Sequence, residues 1–142
     1  MVSIKSLATL AATGLLSFAT ASPTIYSLST PKTAAAGATI KATLNTSIYI
    51  QNWEDFNIIW GIASPAYGGL GSDGVIAVGT QIGFTSLYGT NVEELNSFEI
   101  DITIPKTQPT GDWLVVAAVP YLVGASGELG INAFNSSITI TA

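Results

Sequence analysis

The stretch Ser97–Val119, SFEIDITIPKTQPTGDWLVVAAV, leaves few folds open. Phe98, Ile100, Ile102 and Ile104 alternate with Glu99, Asp101 and Thr103, so a strand here has one dry face and one wet face. Pro105 ends it, because proline has no N–H to give to a ladder. Lys106–Gly111 is a polar turn. Trp113–Val119 is apolar on both faces, as a strand covered from both sides must be. Strand, proline–glycine corner and strand together form a unit of a β-sandwich.

The same signals recur along the chain. Thr24–Leu28 fits a first strand, followed by a turn over Pro31–Gly37. Ala38–Leu44 alternates, with Ile40, Ala42 and Leu44 inward and Thr39, Lys41 and Thr43 outward. Ser47–Gln51 is short and apolar. Phe56–Ile62 places Phe56, Ile58, Trp60 and Ile62 on one face. Ala63–Gly74 is a loop. Val75–Phe84 is β-branched but interrupted by Gly79 and Gly83, the mark of a bulged or edge strand. Thr90 with Glu93 three residues on resembles a capping box, enough for one helical turn. Tyr121–Gly130 is a glycine-rich loop, and Phe134–Thr141 is a final alternating strand. About seven strands with little helix predict an all-β, immunoglobulin-like sandwich in one domain, residues 22–142. Trp53, Trp60 and Trp113 are its natural core anchors.

Residues 1–21 read as a secretory signal. Lys5 gives the positive start, Leu7–Phe18 the apolar run, and Ala19-Thr20-Ala21 a small-x-small site with cleavage between Ala21 and Ser22. The apolar run is short of the roughly 20 residues of a membrane span, and the C-terminal TITITA carries no lipid-anchor signal. The expected product is therefore extracellular, without a membrane anchor. It has no cysteine, so no disulfide holds it. Asn45-Thr46-Ser47 and Asn135-Ser136-Ser137 are glycosylation sequons, the first placed in a surface turn and the second on the wet face of the last strand.

Charge narrows the function. After the signal, Lys32, Lys41 and Lys106 stand against nine acids, with no arginine and no histidine. Nucleic acid and anionic membranes need basic patches that this composition lacks. Without His or Cys there is no Ser–His triad, no thiolate nucleophile and no imidazole or thiolate zinc site. Gly69-Leu70-Gly71-Ser72-Asp73-Gly74 spells G-x-G-x-x-G, but the β-branched VIAVGTQIGF that follows is a poor helix, so the segment reads as a flexible loop rather than a dinucleotide site. Glu99 and Asp101 lie about 6.6 Å apart along a strand, within the general range of a glycosidase pair; the plainer reading is a solvated sheet face. Glu54-Asp55 and Glu93-Glu94 read as loop charges. Asp73 or Asp112 lack the loop pattern of a calcium site. Neither a cofactor nor a metal is expected. Tyr49, Tyr67, Tyr88 and Tyr121 fall in or beside loops, either as interface residues or simply half-buried at strand ends.

The ordered set Ala36-Gly37, Thr39-x-Lys41-Ala42-Thr43, Tyr49-Ile50-Gln51, Trp60-Gly61, Leu70-Gly71, Leu87-Tyr88-Gly89, Ile104-Pro105, Gly111 and Val123-Gly124-Ala125-Ser126-Gly127 resembles the fungal necrosis-inducing secreted proteins. The similarity runs over residues 24–141. It implies a non-enzymatic effector that suppresses pattern-triggered plant immunity by binding and inhibiting host receptor-associated immune kinases. Some members cause host cell death, and translocation into the host cytoplasm would bring such a protein to its target. Tyr49, Ile50 and Gln51 match the family's Y-I-Q stretch and, with Tyr121, are the candidate partner-binding residues. The competing expectation is an extracellular wall or adhesion module that binds glycan or a wall protein. Oligomeric state is left open by the sequence.

Overall fold

A computed structural model of the chain describes residues 22–90 and 94–142. The signal segment, with Ala21, and Glu93 of the expected capping box lie outside the described residues.

Seven strands of seven residues or more form the frame: β1 (Pro23–Ser29), β3 (Thr39–Ile48), β5 (Asn57–Ala63), β8 (Thr80–Ser86), β9 (Asn96–Thr103), β10 (Gly111–Val123) and β11 (Glu128–Thr141). Four short pieces accompany them: β2 (Thr33–Ala35), β4 (Trp53–Asp55), β6 (Gly69–Leu70) and β7 (Ile76–Ala77). One sheet runs β1-β3-β9 and the other β2-β11-β10-β5-β8, with β4 also paired to β10. The seven long strands reproduce an immunoglobulin-type order, except that the fourth lies beside the third instead of beside the fifth. The described residues contain no helix.

The period-two pattern decides the packing. Ile40, Ala42 and Leu44 of β3 and Phe98 and Ile102 of β9 face Trp60 and Ile62 of β5, Val115, Ala117 and Val119 of β10, and Ile138 and Ile140 of β11. Each Val, Leu, Ile or Phe among them contributes about 1.5–3 kcal/mol by leaving water. β10 is central, between β11 and β5, as its two apolar faces require. Its outer face is covered in part by the excursion between β5 and β8. There Gly61 and Gly79 let backbone meet backbone: a Cβ on Gly61 would lie 1.9 Å from the Val78 carbonyl oxygen. The corner from Pro105 to Gly111 carries the chain from the small sheet to the large one, and Trp113 Nε1 donates to Pro109 O at 2.9 Å across it.

Several expectations are corrected. β3 continues to Ile48, so Asn45 sits in a central strand and not in a turn. Tyr121 belongs to β10 and not to a loop, because β10 and β11 stay in register up to the pair Val123↔Glu128. Thr90 Oγ1 donates back to Leu87 O at 2.6 Å, the helical turn expected after it falls on residues 91–93 outside the described ones, and β9 begins at Asn96 with a φ of 80° that asparagine tolerates. Of the three tryptophans only Trp60 is fully buried; Trp53 and Trp113 are half-buried.

Candidate functional site

β4 is three residues long, yet it organises one end of the sandwich. Residues two apart on a strand share a face, so Trp53 and Asp55 point the same way. That way is inward. Asp55 is 2% exposed, and its Oδ2 accepts the Ile25 N–H at 2.9 Å while Oδ1 accepts Trp53 Nε1 at 2.8 Å. Ile25 lies next to a β-bulge: Ile25 pairs with Thr46 and Ser27 with Asn45, leaving Tyr26 extra on β1. The carboxylate therefore ties β1 of one sheet to β4 of the other. A buried charge is costly unless hydrogen-bonded, and bonds to a charged acceptor contribute about 1.5–3 kcal/mol each. Asp55 is thus a structural clamp and not the loop charge expected from sequence.

The clamp fixes the indole. Trp53 stacks on Tyr121, with centroids 4.1 Å apart and planes 14° from parallel, and Tyr49 meets it tilted at 5.0 Å and 59°. Register places Tyr121 opposite both Asp55 and Gly130. The tyrosine ring lies over Gly130 so closely that an added Cβ would stand 2.3 Å from its Cζ. Glycine is needed there for space, not for φ. Beside the stack, Ile48 and Gln51 are exposed and Ile50 is 94% exposed. Of the candidate residues, Tyr49 and Tyr121, about seventy positions apart, thus meet on one indole, while Ile50 and Gln51 follow Tyr49 in the chain and are exposed. Trp53 and Asp55 were missed as members of this site. The W-x-D spacing just after Tyr49-Ile50-Gln51 was the available signal, since it puts an indole N–H donor and a carboxylate on one strand face.

The remaining candidates are dispersed. Lys41 Nζ reaches Glu99 Oε2 and Asp101 Oδ1, both at 3.3 Å, on the exposed face of the small sheet. The hydrogen bond to Glu99 and then that to Asp101 hold the Lys41 pKa above the usual lysine value. The G-x-G-x-x-G segment is a hairpin turn between β6 and β7, where Asp73 Oδ1 accepts the Val75 N–H. Asp112 accepts from Thr139 Oγ1 at 2.7 Å. Among the described residues no group of three or more acids could hold a metal ion. Asn45 Nδ2 donates to Ser27 Oγ at 2.8 Å, and Asn135 is exposed, with its Nδ2 turned toward Gly69. Ser22, the expected first residue after cleavage, borders a small cavity with Glu54 and Asp55.

The profile described as the Nis1 family matches residues 21–139. The chain belongs to the Nis1 family. Two curated relatives agree, both called necrosis-inducing secreted protein 1. The protein of Colletotrichum higginsianum is 32% identical over 92% of this chain and 85% of its own length. That of Colletotrichum orbiculare is 30% identical over 92% of this chain and 76% of its own. The Nis1 match runs from β1 to Thr139 in β11, with the Trp53-centred site inside it. Kinship with these relatives makes this Nis1 chain a secreted protein.

Proposed function

We propose that this Nis1-family protein is a secreted, necrosis-inducing fungal effector that suppresses pattern-triggered plant immunity by binding receptor-associated immune kinases and blocking their activity. It acts by contact and not by catalysis. The relatives' shared name supports the necrosis-inducing part, and the family resemblance supports the kinase target.

One observation carries the choice of surface. Tyr49, Trp53 and Tyr121 form an aromatic cluster that is partly open to solvent and held from below by Asp55, and Ile48, Ile50 and Gln51, the chain neighbours of Tyr49, are exposed. Aromatic anchors whose rotamers are fixed before binding lose little entropy on association, and such residues dominate the energetics of protein interfaces. The lack of His and Cys in the sequence supports a binding role, as does the engagement of both Glu99 and Asp101 by Lys41 on an exposed sheet face.

The test is co-precipitation of the mature protein with receptor-associated kinase domains, scored together with kinase activity. Binding with inhibition is expected, and replacing Tyr49 and Ile50 by alanine should weaken it by about tenfold or more. No binding above that of an unrelated sandwich domain would sink the proposal. The same aromatic cluster also suits a wall module, since aromatic faces stack on sugar rings. Retention on insoluble chitin or glucan without kinase binding would favour that reading.

A further inference from the structure

An exposed sheet edge offers a ready template for another strand, and proteins guard their edges with bulges, charges, proline or a covering segment. Three of the long edges here are guarded. β1 begins at Pro23 and carries the Tyr26 bulge. β8 carries a bulge of its own: Trp60 pairs with Gly83 and Gly61 with Gln81, leaving Ile82 extra. β9 carries Glu99 and Asp101.

β11 differs. Its register with β10 is unbroken over its length, and no charged residue occurs from Leu129 to Ala142. β2 covers only Thr139–Thr141, and the Thr30 N–H and hydroxyl reach Ser136 Oγ. Among the described residues, no strand is hydrogen-bonded to the outer side of the span from Leu129 to Asn135. The direction of its backbone groups follows from the covered end. Thr139 N donates outward to Lys32 O, and Thr141 O accepts from Ala36 N. Alternation then turns the N–H and C=O of Leu129, Ile131, Ala133 and Asn135 to the open side. The side chains of Leu129 and Ile131 are 73% and 53% exposed on the outer sheet face.

We infer that this edge pairs with a second copy of the chain, antiparallel and two-fold symmetric about Ile131. Ile131 then faces its own copy, Leu129 faces Ala133, and Gly130 faces Asn132. Leu129, Ile131 and Ala133 exchange backbone hydrogen bonds, Asn135 falls opposite Gly127 at the end of the pairing, and Leu129, Ile131 and Ala133 of both copies form one apolar strip. The register is self-complementary, as a two-fold interface requires. It also brings no like charges together, because Glu128 falls opposite Phe134. In an acidic chain this uncharged stretch is where two copies can meet without repulsion. The joined sheets would display two Trp53–Tyr121 stacks, each one strand away from the axis.

The test is the mass of the secreted protein in solution by light scattering during size-exclusion chromatography, across a concentration series. A two-chain mass is expected, together with its loss in Ile131→Lys. Circular dichroism should be unchanged in that variant, since Ile131 is solvent-facing in the single chain. Because the chain has no cysteine, Ile131→Cys gives one thiol per copy, and a short bis-maleimide should join the copies through it far faster than through Leu70→Cys on the β6–β7 hairpin. A single-chain mass at every concentration would overturn the inference. So would a two-chain mass that survives Ile131→Lys, or equal cross-linking at residues 131 and 70.

Discussion

Asp55 and Asp101 are the same residue on strands of the same molecule, and they do opposite work. Asp55 is almost wholly enclosed and accepts from a backbone N–H of the facing sheet and from an indole. Asp101 is 64% exposed at its side chain and shares Lys41 with Glu99. The first carboxylate is where the two sheets and the aromatic site are joined. The second keeps a sheet face wet. Burial and the kind of donor separate them: fixed N–H groups inside, one mobile ammonium outside. A desolvated carboxylate gains strongly from each donor, whereas an exposed ion pair is screened and loses side-chain entropy to hold its geometry.

The comparison breaks most sharply at Asp55. Asp55→Ala leaves the Ile25 N–H and Trp53 Nε1 inside the protein without this acceptor. It should cost about 3 kcal/mol or more by the penalty for buried unpaired donors, read as a lower urea midpoint. Trp53 should also lose its fixed stack on Tyr121, with a change in tryptophan fluorescence and weaker partner binding. A variant of native stability would remove Asp55 from its clamping role.

A smaller effect sharpens the same point from above the indole. Gly130→Ala sets a methyl against the Tyr121 ring and should destabilise by about 1–3 kcal/mol, the usual range for overpacking. Tyr121→Ala removes the obstacle, so Gly130→Ala should cost much less in that background. A double-mutant cycle in denaturant measures the coupling. Additive losses would mean that the ring does not press on Gly130.

Much of the frame was legible because period-two alternation is local. Ile40, Ala42, Leu44, Phe98, Ile102 and Ile104 announce their faces without reference to the rest of the chain, and all are buried. The features that sequence misplaced depend on distant partners. Tyr121 and the glycines after it look like loop until β11 is known to continue the ladder past Phe134 to Glu128. Asn45 looks like a turn residue until β1 and β9 are seen flanking it, at Ser27 and Ser97. Asp55 looks like a surface charge until the β1 bulge supplies the Ile25 N–H, thirty residues away. The candidate site was half visible: Tyr49 and Tyr121 stood out by type and Ile50 and Gln51 by the family resemblance, but only the long-range pairing of β4 with β10 brings Trp53 between the two tyrosines.

The smallest expected effect lies on the exposed side of the comparison. Lys41 has its pKa raised above the usual lysine value, by Glu99 first and Asp101 second. A group whose folded pKa is raised lends stability that is fully present below its unfolded pKa and fades as pH climbs through the folded one. The contribution should therefore be intact at neutral pH and disappear only in strong alkali. Added salt should screen it even at neutral pH, because all three side chains are more than half exposed. Glu99→Gln with Asp101→Asn should leave the neutral-pH urea midpoint at physiological salt nearly unmoved, and should leave kinase binding unmoved as well. A large loss of stability would show that the wet face also holds the sandwich together, and the contrast with Asp55 would collapse. A loss of binding with stability intact would instead move the partner surface from Trp53 to the β3–β9 face.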